Sequence, residues 1–202
     1  MTDEQSEPRW TVLRYTDRRV AGALIEKSKT TPDSYPLTLN SLQNACNQKN
    51  NRFPQLQLSV DQVYEALERL KACEAVRESD GDSRAPKYRH KLYEWLGVDK
   101  IEIAVMGELL LRGAQTLGEL RGRAARMEPI ASLADLRPIV ERLYAKGLLV
   151  YLTAPGRGCI VTHSLYEEAE LAKLKSEHGN QDFDVPTPKL APAAQPAVPS
   201  TA

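Results

Sequence analysis

The residues that could carry acid–base, nucleophilic or metal chemistry are few and scattered. The three histidines, His90, His163 and His178, do not lie beside a cysteine or a carboxylate at a spacing that suggests a catalytic triad. The sequence contains no G-x-x-x-x-G-K-[ST], G-x-G-x-x-G or H-E-x-x-H motif. The cysteines are odd in number and form no C-x-x-C pair, which favours a reducing compartment over a disulfide framework or a zinc site. They are Cys46, Cys73 and Cys159. We therefore expect no enzyme, no cofactor and no metal.

A short basic stretch is a stronger candidate for binding. The segment RAPKYRHK, residues 84–91, carries four cations and no acid. These cations are Arg84, Lys87, Arg89 and Lys91. Alternate residues of a strand share one face, so the last three of them would point the same way and could contact a phosphate backbone. The alternative is that they pair with acids of the same hairpin, which are Glu78, Asp80 and Asp82.

A second candidate is the asparagine-rich segment KSKTTPDSYPLTLNSLQNACNQKNNR, residues 27–52, which contains a single acid. The amides of Asn40 and Asn44 and the cations of Lys49 and Arg52 suit base edges or phosphates. Asparagine equally suits caps and turns, where it bonds to its own backbone. We interpret the segment as binding and structural, with these four residues as nucleic-acid contacts.

Helical elements must position these side chains. Apolar spacing predicts seven helices, and three of them begin at a hydroxyl residue followed three positions later by Glu or Gln, a capping box. The capping residues are Ser59, Thr116 and Ser164. The predicted helices cover residues 17–29, 39–48, 59–72, 99–112, 116–126, 132–146 and 164–178.

Extended segments predict two β-hairpins. The first pairs residues 74–78 with 85–93 across an Asp80-Gly81 turn, and the second pairs 148–153 with 159–164. Three helices followed by a hairpin thus occur twice. The fold class is mainly α with small β-hairpins (α+β), and the arrangement is that of two tandem winged helix-turn-helix domains. The predicted parts are a flexible arm at 1–14, domains at 15–96 and 97–178, and a disordered Pro/Ala-rich tail at 179–202.

The segment RVAGALIEKSKTTPDSYPLTLNSLQNACNQKNNR, residues 19–52, resembles the signature of the YceH-like family of bacterial proteins. The resemblance continues through LERLKACEAVR and KYRHKLYEWL and covers most of residues 15–170. It implies a tandem winged-helix fold, a bacterial cytoplasm and a dimer. It implies no activity.

Charge and hydropathy narrow the class of partner. Lys+Arg and Asp+Glu are both 27, so the chain is not basic overall and binding to nucleic acid would need a local patch. The predicted helix 59–72 is net negative, which makes it a poor surface for phosphates. No apolar run is long enough to span a bilayer, and the polar N-terminus is not a secretory signal. We therefore expect no membrane partner and a cytoplasmic location.

We predict a DNA-binding protein of the winged-helix type, a transcriptional regulator whose partner is double-stranded DNA. The alternative is a scaffold whose winged helices bind a protein and not DNA. The segment 101–113 is apolar around most of its circumference, so it should be buried against the other domain or against a second subunit. The second possibility predicts a homodimer.

Overall fold

The computed structural model of the chain describes residues 9–79 and 85–179. Within these residues the protein is an α+β molecule of eight α-helices and two small antiparallel sheets, which confirms the predicted class. The helices are α1 (Tyr15–Thr30), α2 (Leu39–Cys46), α3 (Val60–Ala72), α4 (Leu92–Leu96), α5 (Glu102–Arg112), α6 (Leu117–Ala124), α7 (Leu133–Ala145) and α8 (Glu168–Gly179). The strands are β1 (Leu37–Thr38), β2 (Val76–Ser79), β3 (Lys87–His90), β4 (Gln115–Thr116), β5 (Leu149–Tyr151) and β6 (Ile160–His163).

The same order of elements occurs twice along the chain. A helix, a two-residue strand, two helices and a pair of strands follow one another first from α1 to β3 and then from α5 to β6. Each set closes a three-stranded sheet, in the order β1-β3-β2 and β4-β6-β5. The short strands β1 and β4 were not predicted from the sequence, because two residues carry no measurable alternation of apolar and polar side chains.

Side-chain hydrogen bonds cap the starts of four helices, α2, α3, α6 and α7. The Ser59 side chain accepts from the Gln62 amide while the Gln62 side chain accepts from the Ser59 amide, so the capping box predicted for α3 is confirmed. The prediction for Ser164 is wrong. Its hydroxyl donates to the Gly147 carbonyl, and α8 begins only at Glu168.

The first hairpin is shorter than predicted. Strand β3 ends at His90. The Lys91 amide still donates to the Ala75 carbonyl, but the reciprocal bond is missing, because the Ala75 amide donates to Leu70 and the Lys91 carbonyl accepts from Trp95 of α4. The predicted Asp80-Gly81 turn lies outside the described residues. So do the first eight residues of the predicted arm and the predicted tail after Gly179.

A single cluster of buried apolar side chains runs through both sets of elements. Helix α1 packs against α5 so closely that a Cβ on Gly107 would lie 2.6 Å from Ile25 Cγ2, and one on Gly22 would lie 2.9 Å from Leu111 Cγ. Helix α5 is buried from Glu102 to Leu111 within one chain. Its apolar surface is therefore covered without a second subunit.

Candidate nucleic-acid interface

Three cations lie together on one face of the first sheet. In the antiparallel register Arg77 is opposite Arg89, and Lys87 is opposite both Ser79 and Thr38. Directly opposed residues place their side chains on the same face, so Arg77, Lys87 and Arg89 form what we call the cation row. The other face of the sheet carries the buried side chains of the core, among them Tyr88.

The cation row is not neutralised by the residues that the structure describes. None of its members makes an ion pair within residues 9–79 and 85–179, and the Nε of Arg89 is buried without a hydrogen-bond partner there. Glu78, one of the acids expected to pair with the row, is opposite Tyr88 on the other face, and its carboxylate lies 3.9 Å from Lys71 Nζ. The other two acids, Asp80 and Asp82, and the predicted contact Arg84 lie outside the described residues.

Two of the amides predicted as contacts lie on α2, the helix that follows β1, and β1 pairs with β3 of the cation row. Thr38, which is opposite Lys87, is also the N-cap of α2 and accepts a hydrogen bond from the Ser41 amide. Asn40 and Asn44 are exposed one turn apart on that helix, and neither side chain bonds to another described residue.

The predicted Lys91 and Lys49 lie apart from the cation row. Lys91 is the cap of α4 and not a member of β3, and its Nζ is 4.0 Å from Glu94 Oε2. It therefore does not extend the face that Lys87 and Arg89 share. Lys49 is exposed beyond the C-terminal end of α2, in an opening that Glu26 and Arg126 also line.

Arg52 is not a surface cation, and we withdraw it as a nucleic-acid contact. Its side chain has no exposed area, its Nη2 donates to Glu26 Oε2 at 2.6 Å, and its Nε and Nη2 donate to the Ala45 carbonyl at 3.0 and 2.8 Å. The guanidinium is thus committed to the interior, where it neutralises a carboxylate of α1.

That carboxylate belongs to a network that joins the two sets of elements. Arg126 bridges Glu26 and Glu108, with Nη1 3.3 Å from the first and Nη2 3.2 Å from the second. Arg112 Nε lies 2.9 Å from Glu108 Oε1, at an angle that does not make a hydrogen bond. Burial works to raise the pKa of Glu26, but the hydrogen bond and charge of Arg52 lower it below its ordinary value. For Glu108 burial prevails and raises the pKa.

Helix α3 presents an acidic surface on another side of the sheet. Its exposed residues include Asp61, Glu65 and Glu68, with Tyr64 46% exposed between them. Lys71 of α3 lies near Glu78, so α3 adjoins the sheet face that carries Glu78 and not the face of the cation row.

The histidines are buried or partly buried, and one of them, His90, contacts a serine hydroxyl. His90 Nε2 lies 3.1 Å from the Ser28 hydroxyl, but that hydroxyl donates to the Ile25 carbonyl, and His90 Nδ1 accepts from the Leu92 amide. These bonds assign the ring proton to Nε2, so His90 donates to Ser28 and is not its base. Burial lowers the pKa of His90 to about 4 and lowers that of His163 well below its ordinary value.

Metal and membrane features are absent from the described part of the chain. Residues 9–79 and 85–179 contain no group of three His, Cys, Asp or Glu side chains that could hold a metal ion. No helix within these ranges is long and apolar enough to span a bilayer.

Comparison with known proteins connects this architecture to a family. A family model described as "Protein of unknown function, DUF480" matches residues 13–157. The chain belongs to the DUF480 family. The matched region runs from α1 through the cation row to the hairpin after α7, so it includes every predicted contact that the structure describes.

Several relatives of this DUF480 chain are named UPF0502 proteins. The one from Rhodopirellula baltica is 46% identical over 189 residues, which cover 94% of this chain and 79% of the relative. Those from Geotalea daltonii and Pelobacter propionicus are 48% and 51% identical over 143 and 137 residues, and the chain covers 66% and 62% of their lengths. Membership of an uncharacterised bacterial family is therefore confirmed, while the label YceH-like stays a prediction.

One member of the cation row, Arg77, was missed by sequence reasoning. A signal existed, because Arg77 lies in a predicted strand of the same hairpin. Its partner could not be known, since a tight turn at Asp80-Gly81 would give a different register from the observed pairing of Ser79 with Lys87.

Proposed function

We propose that this DUF480 protein binds duplex DNA and that the cation row contacts its phosphates. The proposal is supported above all by one observation: Arg77, Lys87 and Arg89 share a sheet face without a carboxylate partner in the described residues. Cations that are not paired internally are available to replace the counterions of a phosphate backbone.

The topology supports a winged-helix assignment for each set of elements. In the first set, α2 and α3 would be the helix-turn-helix and β2 with β3 would be the wing. In such domains the second helix of the pair usually enters the major groove. Here that helix is the acidic α3, which would be repelled by phosphates.

This repulsion is avoided if the wing, and not α3, contacts the DNA. The cation row lies on the sheet face away from Glu78 and the adjoining α3, so DNA could meet the wing while the acids of α3 stay turned from the backbone. Asn40 and Asn44, on the helix that Thr38 caps beside Lys87, would then be positioned for sugar, phosphate or base-edge contacts.

The test is fluorescence anisotropy with a random duplex at several salt concentrations. Three phosphate contacts should give a slope of log K against log salt of about −2.7, which is about a forty-fold loss of affinity between 50 and 200 mM salt. The double substitution Arg77→Gln/Lys87→Gln should reduce the slope by about 1.8.

A matched control removes the same charge elsewhere. Arg14 and Lys175 are exposed and make no ion pair with described residues, so Arg14→Gln/Lys175→Gln lowers the net charge equally without touching the row. A wild-type protein that does not bind at low salt, or equal slopes for the two double variants, would contradict the proposal.

A transcriptional role, a homodimer and a cytoplasmic location are parts of the same proposal. A dimer would set two cation rows at a fixed spacing, as symmetric operators require. Light scattering with and without duplex would reveal it, and a monomer in both conditions would remove this part while leaving DNA binding intact.

A second candidate function is docking of a protein partner on α3. It is favoured by the acidic surface of α3, where Tyr64 and Val60 are 46% and 38% exposed beside Asp61 and Glu65. Tyr64→Ala should then abolish recovery of one stoichiometric, nuclease-resistant partner, whereas Arg77→Gln/Lys87→Gln should not. If the Tyr64→Ala variant still recovers the partner, the partner does not bind this surface.

A further inference from the structure

A cleft of about 450 Å³ opens between α1, the C-terminal end of α5 and α8. Its volume is typical of sites that hold a small organic molecule. The proposed DNA contacts do not line it, because it includes neither the cation row nor helix α2.

The apolar part of the cleft is formed by two aromatic side chains, Tyr166 and Phe53, of which Tyr166 is held in place by its neighbours. The ring of Tyr166 stacks on His163 with centroids 3.9 Å apart, and its hydroxyl lies 2.9 Å from Thr162 Oγ1. Phe53 stands at the opening and is 69% exposed. Gly113 keeps space beside Tyr166, since a Cβ there would lie 3.0 Å from the tyrosine hydroxyl. Because His163 stacks on the Tyr166 ring and Arg18 Cζ lies 4.5 Å from the centroid of that ring, a flat apolar molecule could pack against Phe53 and the edge of Tyr166.

The charged part of the cleft has more cations than acids. The cations are Arg18, Arg19, Arg112 and Lys173, and the acids are Glu170 and Glu177. Arg18 pairs with Glu170, and Lys173 Nζ lies 3.8 Å from Glu177 Oε1. Arg112 approaches Glu108, which is outside the cleft.

Arg19 differs from these cations because no described carboxylate neutralises it. It is 3% exposed, and its Nη1 and Nη2 donate only to the carbonyls of Cys46 and Pro54, at 3.1 and 2.7 Å. Burial, followed by the nearby charge of Arg52, lowers the pKa of this guanidinium. A buried cation without a counter-charge is costly, and two bonds leave three of its five N–H groups for another acceptor.

We propose that the cleft binds an organic anion with a flat apolar body, whose carboxylate neutralises Arg19 while its ring packs against Phe53 and the edge of Tyr166. The carboxylate would accept charge-assisted hydrogen bonds, and the cations around it exceed the acids. This inference is independent of DNA binding, because it concerns different residues and a different class of ligand.

The probe is 2-naphthoate, with its neutral amide 2-naphthamide as the matched ligand. Isothermal titration of the full chain should show saturable 2-naphthoate binding at one site, with an affinity on the order of tenfold or more above that of the amide. Equal affinity for both molecules would overturn the role of Arg19, and no binding of either would overturn the site.

Two variants separate the apolar from the charged contribution. Phe53→Ala changes an exposed side chain and should weaken both ligands by a similar factor. Arg19→Met should remove only the preference for the anion, and circular dichroism would show whether the variant is folded. If Arg19→Met does not fold, Lys173→Gln replaces it, because the Lys173 side chain is 75% exposed. Its substitution should weaken the binding of 2-naphthoate more than that of 2-naphthamide. Binding that neither Phe53→Ala nor a cation substitution alters would place the ligand elsewhere and refute the proposal.

Discussion

The network around Arg126 contains two buried carboxylates whose removal should have unequal cost. Glu26 and Glu108 are 2% and 0% exposed, and both contact Arg126. The difference lies in the cation that each would leave behind. Without Glu26, the side chain of Arg52 stays in the interior with no exposed area. Without Glu108, the side chains of Arg112 and Arg126 are already 21% and 33% exposed and can be solvated.

We therefore expect Glu26→Gln to lower the free energy of unfolding by about 3–5 kcal/mol, the cost of leaving a buried charge unpaired. For a chain of this size that is a fall in Tm of about 6–20 °C. Glu108→Gln should cost about 1–2 kcal/mol, because its pKa is raised and its charged form is already disfavoured by burial. Urea unfolding at pH 7 measures both values.

Two controls test the reasoning behind these magnitudes. In an Arg52→Met background, Glu26→Gln should lower the free energy of unfolding by less than half as much, because the cation that it would leave unpaired is absent. The lowered pKa of Glu26 also means that its contribution is present above the unfolded value near 4.3 and disappears as pH falls through the lower folded value. Equal costs for the two glutamine variants, or a Glu26→Gln cost that is undiminished below pH 3, would refute the argument.

Two further predictions concern packing and pH. Gly107→Ala should destabilise the protein by about 1–3 kcal/mol, because its Cβ would lie 2.6 Å from Ile25 Cγ2. Gly122→Ala, in α6 with open space around the new Cβ, should stabilise it by up to about 1 kcal/mol, and chemical unfolding that ranks them otherwise would contradict the α1–α5 packing. Burial lowers the pKa of both His163 and His90, so the unfolded chain binds these two protons first and stability should fall as pH drops below about 6.5, each histidine contributing up to about 1.4 kcal/mol per pH unit. His163→Asn keeps an acceptor for the Leu165 amide and should remove about half of that slope, and an unchanged profile would show that His163 is not responsible.

The helices could be predicted because their signals are local. Apolar spacing and the Ser59–Gln62 capping box lie within a few residues of the elements they specify. Helix α4 was missed because its first two residues, Leu92 and Tyr93, were assigned to the strand before it. The strand ends where the Lys91 carbonyl accepts from the Trp95 amide of α4 and the Ala75 amide donates to Leu70, so that Ala75 and Lys91 cannot complete their pair.

The candidate site was predicted less completely because it depends on distant residues. The sequence around Arg52 does not distinguish it from an arginine on the surface. Its side chain is buried because Glu26, which lies on α1, approaches and accepts its hydrogen bond. The face shared by Lys87 and Arg89 followed from the two-residue period of a strand. The third member of the row, Arg77, followed only from the register, which places Arg77 opposite Arg89 and Ser79 opposite Lys87.

The contact of α1 with α5 has a consequence for how the molecule holds together. Glycines at the crossing let two backbones approach, and the apolar side chains of α5 are then shared by the elements on both sides. A fragment ending before α5 would expose the stripe of α1 that Leu111 now covers, and a fragment beginning at α5 would lose the cover that Ile25 provides. The two topological repeats therefore share a common interior, and we expect each to depend on the other for folding.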